Sequence, residues 1–365
     1  MKKICSLFVC VCSLFACRSG NESLHLLVGA YSDGSTPGIS VYRFNTQTGD
    51  FAFLNDLKGI LNPSYLVVSP DEQTIYSVNE TSDGAVSAFR IDKQSATLSF
   101  LNSQATGGAD PCYINSNKGK TFIVTANYTG GNISVFPLSE DGTILPRTQS
   151  FDSPEPPASH LHTTVFSPDG KWLLATDLGK DKIYLFNLKS AEDTIFLKKE
   201  EEKTTQLESG SGPRHLVFHP NGKFLYCINE LSGKIAAFHY HDGLLSNFQY
   251  IASDTTSGNG GKGSADIHIA PDGRFLYASN RLKADGIAIF SIHPETGRLT
   301  FIASQSTGIH PRNFIITPNG NFLLCANRDS NTIQIFKRNK RTGLLQDTEK
   351  CIQLNKPVCL QWISP

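Results

Sequence analysis

One pattern returns along this chain about every fifty residues and limits the fold more than any other feature. An apolar run is followed by a polar turn and then a second apolar run that ends in Asn or Asp. It reads YLVVSPDEQTIYSVNE from Tyr65, YINSNKGKTFIVTANY from Tyr113 and TVFSPDGKWLLATDLG from Thr164. It returns as LVFHPNGKFLYCINEL from Leu216, IHIAPDGRFLYASNRL from Ile267 and FIITPNGNFLLCANRD from Phe314. Most of the turns are Pro-Asp-Gly or Pro-Asn-Gly, which supply a fixed φ, a local side-chain cap and a positive φ in that order. The markers Pro70, Asn117, Pro168, Pro220, Pro271 and Pro318 stand 47, 51, 52, 51 and 47 apart. A third apolar run (VSAFRI, ISVFPL, IYLFNL, IAAFHY, IAIFSI, IQIFKR) and then a fourth complete each unit. Four strands in about fifty residues make one blade of a β-propeller.

Six complete units occupy residues 62–354. Residues 24–59 hold only three strands (LHLLVGAY, GISVYRF and DFAFLND), so this first unit lacks its innermost one. The C-terminus offers a spare strand, KPVCLQWI, from Lys356 to Ile363. Sharing a blade between the termini removes the sheet edge that would be exposed at the seam. The expected fold is therefore all-β: one seven-bladed propeller of four-stranded antiparallel blades over residues 24–365. The two-residue periodicity excludes an α-solenoid, and the fifty-residue repeat excludes a β-sandwich.

The first seventeen residues stand apart from this pattern. Lys2 and Lys3 precede a thirteen-residue apolar run from Ile4 to Ala16, too short to span a bilayer but suited to a secretory leader. The run ends Leu14-Phe15-Ala16-Cys17, resembling a bacterial lipobox. The expectation is an exported lipoprotein, periplasmic or at the cell surface. Its only membrane attachment would be a lipid on Cys17, with residues 18–23 as a linker. Cys112, Cys227, Cys325, Cys351 and Cys359 remain in the fold, with no CxxC pair and no zinc-ligand spacing. Neither a metal nor a cofactor is expected. The chain balances 33 basic against 33 acidic residues, so it offers no footprint for nucleic acid, and a monomer is expected.

In an up-and-down blade, the start of the innermost strand and the end of the second share one face around the channel. The unusual polar residues fall at those places. Blade three contributes Asn127 and Tyr128, and blade four contributes His160, His162 and Asp177. Blade five contributes Arg214, His215 and Glu230. Blade six contributes Asp266, His268 and Arg281, and blade seven contributes Arg312. Arginines suit a small anion, because guanidinium offers carboxylate or phosphate a planar fork of donors. A nearby glutamate or histidine can take a proton from water or from a substrate carbon. No GxSxG, HExxH or nucleophilic-cysteine context accompanies them.

In GPRHLVFHPNGKFLYCINEL, IHIAPDGRFLYASNR and HPRNF, the sequence resembles the seven-bladed lactonase family. That family includes propeller-type 6-phosphogluconolactonases and the fungal carboxy-muconate lactonising enzyme, a cycloisomerase. The resemblance extends from Leu24 to Ile363. It implies a catalytic group of His162, Arg214, Glu230 and Arg281, with His160 two positions from His162. From the residues gathered at the mouth, Glu230 or His162 is the expected group to activate water for attack on a small anionic lactone. The substrate-binding expectation takes in His160, Asn127, Tyr128, Asp177, His215, Asp266, His268 and Arg312. Cycloisomerisation would use the same residues. A propeller that binds a glycan or an envelope protein without catalysis is the reading from another class.

Overall fold

The structure, a computed structural model, describes residues 22–152, 158–189, 196–256 and 262–365. The expected leader lies outside these residues. Within them the strands form seven antiparallel sheets of four strands, with one short extra strand in blade four. Each innermost strand packs against the next, and the last against the first, so the sheets close into a ring.

The repeat explains the local structure. In blades four to seven the turn glycine after the innermost strand adopts a positive φ: +71° at Gly170, Gly222 and Gly273 and +70° at Gly320. A side chain there would be strained. The residue opening the turn accepts from the strand that follows: Ser167 Oγ from Trp172 N and Thr317 Oγ1 from Phe322 N, both at 3.0 Å. Alternating residues then face the neighbouring blades. Leu27, Ile39 and Val41 of blade one pack with Ile75 and Phe89 of blade two, and Tyr226 and Ile235 of blade five pack with Leu276 and Phe290 of blade six. Apolar burial between blades, at roughly 25 cal/mol per Å², is the main force holding the ring.

Blade one is shared between the termini as expected. Pro357–Ile363 pairs with Ser23–Ala30, matching Trp362 with Leu26 and Leu360 with Val28, and Ile39–Asn45 and Phe51–Leu57 complete the sheet. The closing strand is also bonded sideways. Leu360 N donates to Asn313 Oδ1 at 2.8 Å, and Trp362 Nε1 donates to Ile316 O at 3.0 Å, tying it to blade seven. Leu66 N of blade two donates to Cys359 Sγ at 3.3 Å. The five cysteines of the fold are free thiols, and all but Cys351 are buried.

Candidate functional site

The innermost strands do not run regularly into the channel. Pairing with the second strand skips one residue between Pro111 and Tyr113, Leu161 and Thr163, Pro213 and His215, and Pro311 and Asn313. Each skip is a β-bulge, which turns the unpaired side chain away from the alternation of the strand. The bulged residues are Cys112, His162, Arg214 and Arg312, and a matching irregularity releases Val358 in the closing strand. Together with Ser64 of blade two they line one narrow cavity on the channel axis. Ser64, His162, Arg214 and Arg312 each stand six residues before a turn proline. By that spacing Ala265 holds the same place in blade six.

Above this inner ring lies an outer one, built by a backbone bond that recurs from blade to blade. The residue after the second strand donates its N–H to the loop leading into the innermost strand. Glu80 donates to Asn62 O, Tyr128 to Asp110 O, Leu178 to His160 O, Glu230 to Gly212 O and Arg328 to His310 O, at 2.7–3.0 Å. Blade six offers Arg281 and blade one offers Tyr31 at the corresponding ends.

Glu230 holds two arginines together. Its Oε2 accepts from Arg214 Nε at 2.8 Å and lies 3.1 Å from Arg281 Nη2. Burial would raise the Glu230 carboxyl, but Arg214, Arg281 and Arg312 outweigh it, so its proton affinity is lowered. Arg214 also donates to Ala265 O at 2.6 Å, and Arg281 Nε to Gly263 O at 2.7 Å. Both forks are thus largely committed within the protein. Arg312 differs: among the described residues its guanidinium makes no hydrogen bond. Among those residues its only ion pair is with Glu80 Oε1, at 3.9 Å. Burial works against its charge, but Tyr31, Glu80 and Glu230 overcome this and hold its pKa above the usual arginine value. It is a fixed cation with donors free.

The histidines fall into distinct environments. His162 is buried in the inner ring 5.2 Å from the His215 ring, and its Nδ1 has no partner among the described residues. Burial, then Arg214, hold it neutral, well below the usual histidine pKa. His160 lies outside the strand, stacked on Tyr128 at 4.6 Å, and its Nδ1 is 3.1 Å from Tyr128 O. Arginine can only donate, so His215 Nε2 accepts from Arg214 Nη1 at 3.2 Å and its proton sits on Nδ1. That Nδ1–H donates to Asp266 Oδ1 at 2.8 Å. Burial and Arg214 push His215 down to about 4.

Three expected substrate contacts are spent on the protein itself. The Asn127 amide donates to Asn132 Oδ1 at 2.8 Å and Ser134 Oγ at 3.0 Å, inside its own blade. Asp177 accepts from Ser159 Oγ, from His160 N at 2.9 Å, and from the backbone of Gly179 and Lys180. Asp266 accepts from His215, from Asn313 Nδ2 at 2.6 Å, and from the backbone of Phe314 and Ile267. The polarity of these buried side chains is satisfied internally, so they position loops and neighbours rather than face a ligand. His268 pairs with Asp266 Oδ2 at 3.0 Å, further down the strand and apart from the arginines. Burial disfavours its charge, but Asp266 prevails and raises its pKa.

Two residues of the site were not among the expectations. Tyr31 O–H donates to Glu80 Oε1 at 2.9 Å beside Arg312, and the Arg312 guanidinium lies 5.6 Å from the Tyr31 ring. The signal existed in the repeat: Asn79-Glu80 matches Asn229-Glu230, and Ala30-Tyr31 follows its strand as Asn127-Tyr128 does.

Known proteins share this architecture and much of this sequence. A 6-phosphogluconolactonase from Formosa agariphila is 38% identical over 352 residues, 92% of this chain and 98% of that one. A Bacteroides fragilis crystal structure, provisionally assigned as a 6-phosphogluconolactonase, is 49% identical with a TM-score of 0.89. It covers 94% of this chain and 99% of its own. A periplasmic gluconolactonase from Pseudomonas aeruginosa superposes with a TM-score of 0.89 at 31% identity, covering 94% of this chain and 99% of that one. The model of the lactonase family with a seven-bladed β-propeller matches residues 25–362. A ring of seven blades, an arginine-glutamate cluster at its mouth and a family match over nearly the whole fold agree: the chain belongs to the seven-bladed β-propeller lactonase family.

Proposed function

We propose that this protein hydrolyses a sugar or carboxylate lactone at the channel mouth, in the manner of a 6-phosphogluconolactonase. The observation that carries the reading is one partly buried arginine that makes no hydrogen bond among the described residues, beside a pair locked by a glutamate. Arg312 binds the anionic substituent of the lactone through its open fork. Arg214 and Arg281, held by Glu230, present fixed positive charge where the carbonyl oxygen becomes an oxyanion. His162, kept neutral, offers a hydrogen bond to the substrate or to water. Water adds to the carbonyl carbon, the ring C–O bond breaks, and a hydroxy acid leaves. The residues supply these steps without a metal ion.

The test is hydrolysis of a panel of sugar lactones, phosphorylated and not, and of lactone carboxylates by the purified protein. Arg312→Lys keeps the charge but loses the fork. It is expected to raise KM for anionic lactones by roughly tenfold or more while leaving neutral ones nearly unchanged. Inactivity toward the whole panel, or activity that EDTA abolishes and a divalent ion restores, contradicts the proposal.

Export and lipid attachment at Cys17 belong to the same proposal. They rest on the leader pattern and agree with the periplasmic lactonase of similar structure. No helix among the described residues is long and apolar enough to cross a membrane. A mature chain that starts elsewhere than Cys17, or a Cys17→Ser protein with unchanged mass and membrane fractionation, counts against it.

A further inference from the structure

The site holds two carboxylates in equivalent places of the repeat, and their surroundings differ. Glu230 gives Oε2 to two guanidinium groups, and Arg214, Arg281 and Arg312 all lower its proton affinity. A carboxylate so clamped is a counter-ion for arginine and a poor proton acceptor. Glu80 is otherwise placed. Its Oε1 accepts from Tyr31 O–H at 2.9 Å and stands 3.9 Å from Arg312, too far for a hydrogen bond. Its Oε2 is buried and has no hydrogen-bond partner among the described residues. An unsatisfied buried carboxylate oxygen costs free energy and marks a place where a catalytic role repays the cost.

The backbone around Glu80 is fixed as firmly as that around Glu230. Glu80 N donates to Asn62 O at 3.0 Å, and Asn62 Nδ2 donates to Glu80 O at 3.0 Å. The same amide accepts from Ser32 N at 3.1 Å through Oδ1, so Asn62 ties the Tyr31 loop to the Glu80 loop. Burial raises the Tyr31 phenol above its ordinary pKa, so it remains a donor and occupies Oε1. Oε2 is left as the working oxygen, and Arg312, 3.9 Å from Oε1 of the same carboxylate, positions an anionic substrate.

We propose that Glu80, oriented by Tyr31, is the group that moves the proton in the reaction. The assignment rests on the lactone-hydrolase reading. As the water oxygen bonds to the carbonyl carbon, one water proton passes to Glu80 Oε2. As the ring C–O bond breaks, the same proton passes from Oε2 to the released oxygen, and Glu80 ends the cycle as it began. No oxidant, reductant or second substrate is required.

The experiment compares Glu80→Gln, Glu80→Asp, Tyr31→Phe and Glu230→Gln with the parent on the best lactone of the panel. Turnover, KM, its pH dependence and the melting temperature are measured for each. Glu80→Gln is expected to lose about 10²–10⁴-fold in kcat with KM within a few-fold, and to lose the acidic limb of the kcat profile. Tyr31→Phe removes the donor that orients the carboxylate, so kcat is expected to fall several-fold with KM nearly unchanged and the limb kept. Glu230→Gln is expected instead to raise KM and lower the melting temperature. Should Glu80→Gln fail to fold, Glu80→Asp decides: it keeps the limb with reduced kcat, and undiminished kcat overturns the proposal. An active parent whose Glu80→Gln variant turns over within twofold of it, or keeps the acidic limb, overturns this assignment alone. A parent inactive on every lactone overturns the lactone reading and this assignment with it.

Discussion

Side chains of one chemical type do different work in this channel because their partners differ. Of Arg214, Arg281 and Arg312, only Arg312 has an uncommitted fork among the described residues, whereas Arg214 and Arg281 are spent on Glu230 and on backbone carbonyls. The histidines show the same dependence on surroundings, and it has a consequence for stability. Burial lowers His25, His162, His215 and His310, the third to about 4 and the fourth to about 3. A histidine with a depressed folded pKa binds fewer protons folded than unfolded, so its contribution is present above about 6.5 and is lost as pH falls. His268 is raised by Asp266 and acts in the opposite sense, its contribution being lost as pH rises through its folded pKa. Four depressed groups outweigh one raised group. The melting temperature should therefore fall between about pH 6.5 and 4, and replacing His215 with Asn should make that fall shallower. A melting temperature that is flat or rises toward pH 4 contradicts this account of the buried histidines.

Within a blade, the junction of strand and loop decides where the functional side chains stand. In blades three, four, five and seven a bulge near the start of the innermost strand turns one residue to the axis, and the Asn or Asp closing the second strand anchors the loop opposite. Asp177 illustrates the second device: fully buried, it gathers Ser159, His160, Gly179, Lys180 and the Tyr184 hydroxyl. Asp177→Ala would leave those donors without their acceptor, at a cost of roughly 2–4 kcal/mol. The His160 stack on Tyr128 should loosen with it and raise KM. Thermal melting and steady-state kinetics check both, and Asp177→Asn should recover part of the loss. An Asp177→Ala protein with parental melting removes the anchoring role.

Closure of the ring brings together residues that the chain keeps far apart. Tyr31, Glu80 and Arg312 lie in blades one, two and seven and meet because Pro357–Ile363 completes the first blade. Removing residues 356–365 should expose the Ser23–Ala30 edge and the flanks of blades two and seven, giving aggregation or a broad, non-cooperative melt. A truncated protein that melts like the parent shows that the closing strand is dispensable. Blade number, strand order and the shared blade were all legible in the sequence, because they follow from local rules. Two-residue alternation makes the strands, Pro-Asp-Gly turns space them, and the unit lacking an inner strand has its complement at the other end. The Arg214, Glu230 and Arg281 cluster was legible too, since the residues come from the matched ends of adjacent blades. What only the tertiary structure decided is how each polar group spends its hydrogen bonds. Strand parity cannot foresee a bulge that puts His162 on the axis and leaves His160 on Tyr128. Residue type cannot tell that Asn127, Asp177 and Asp266 are satisfied by their own neighbours while Arg312 and one oxygen of Glu80 are not. The physical reason is that a hydrogen bond depends on distance and direction between groups, and here those are set by the closed ring.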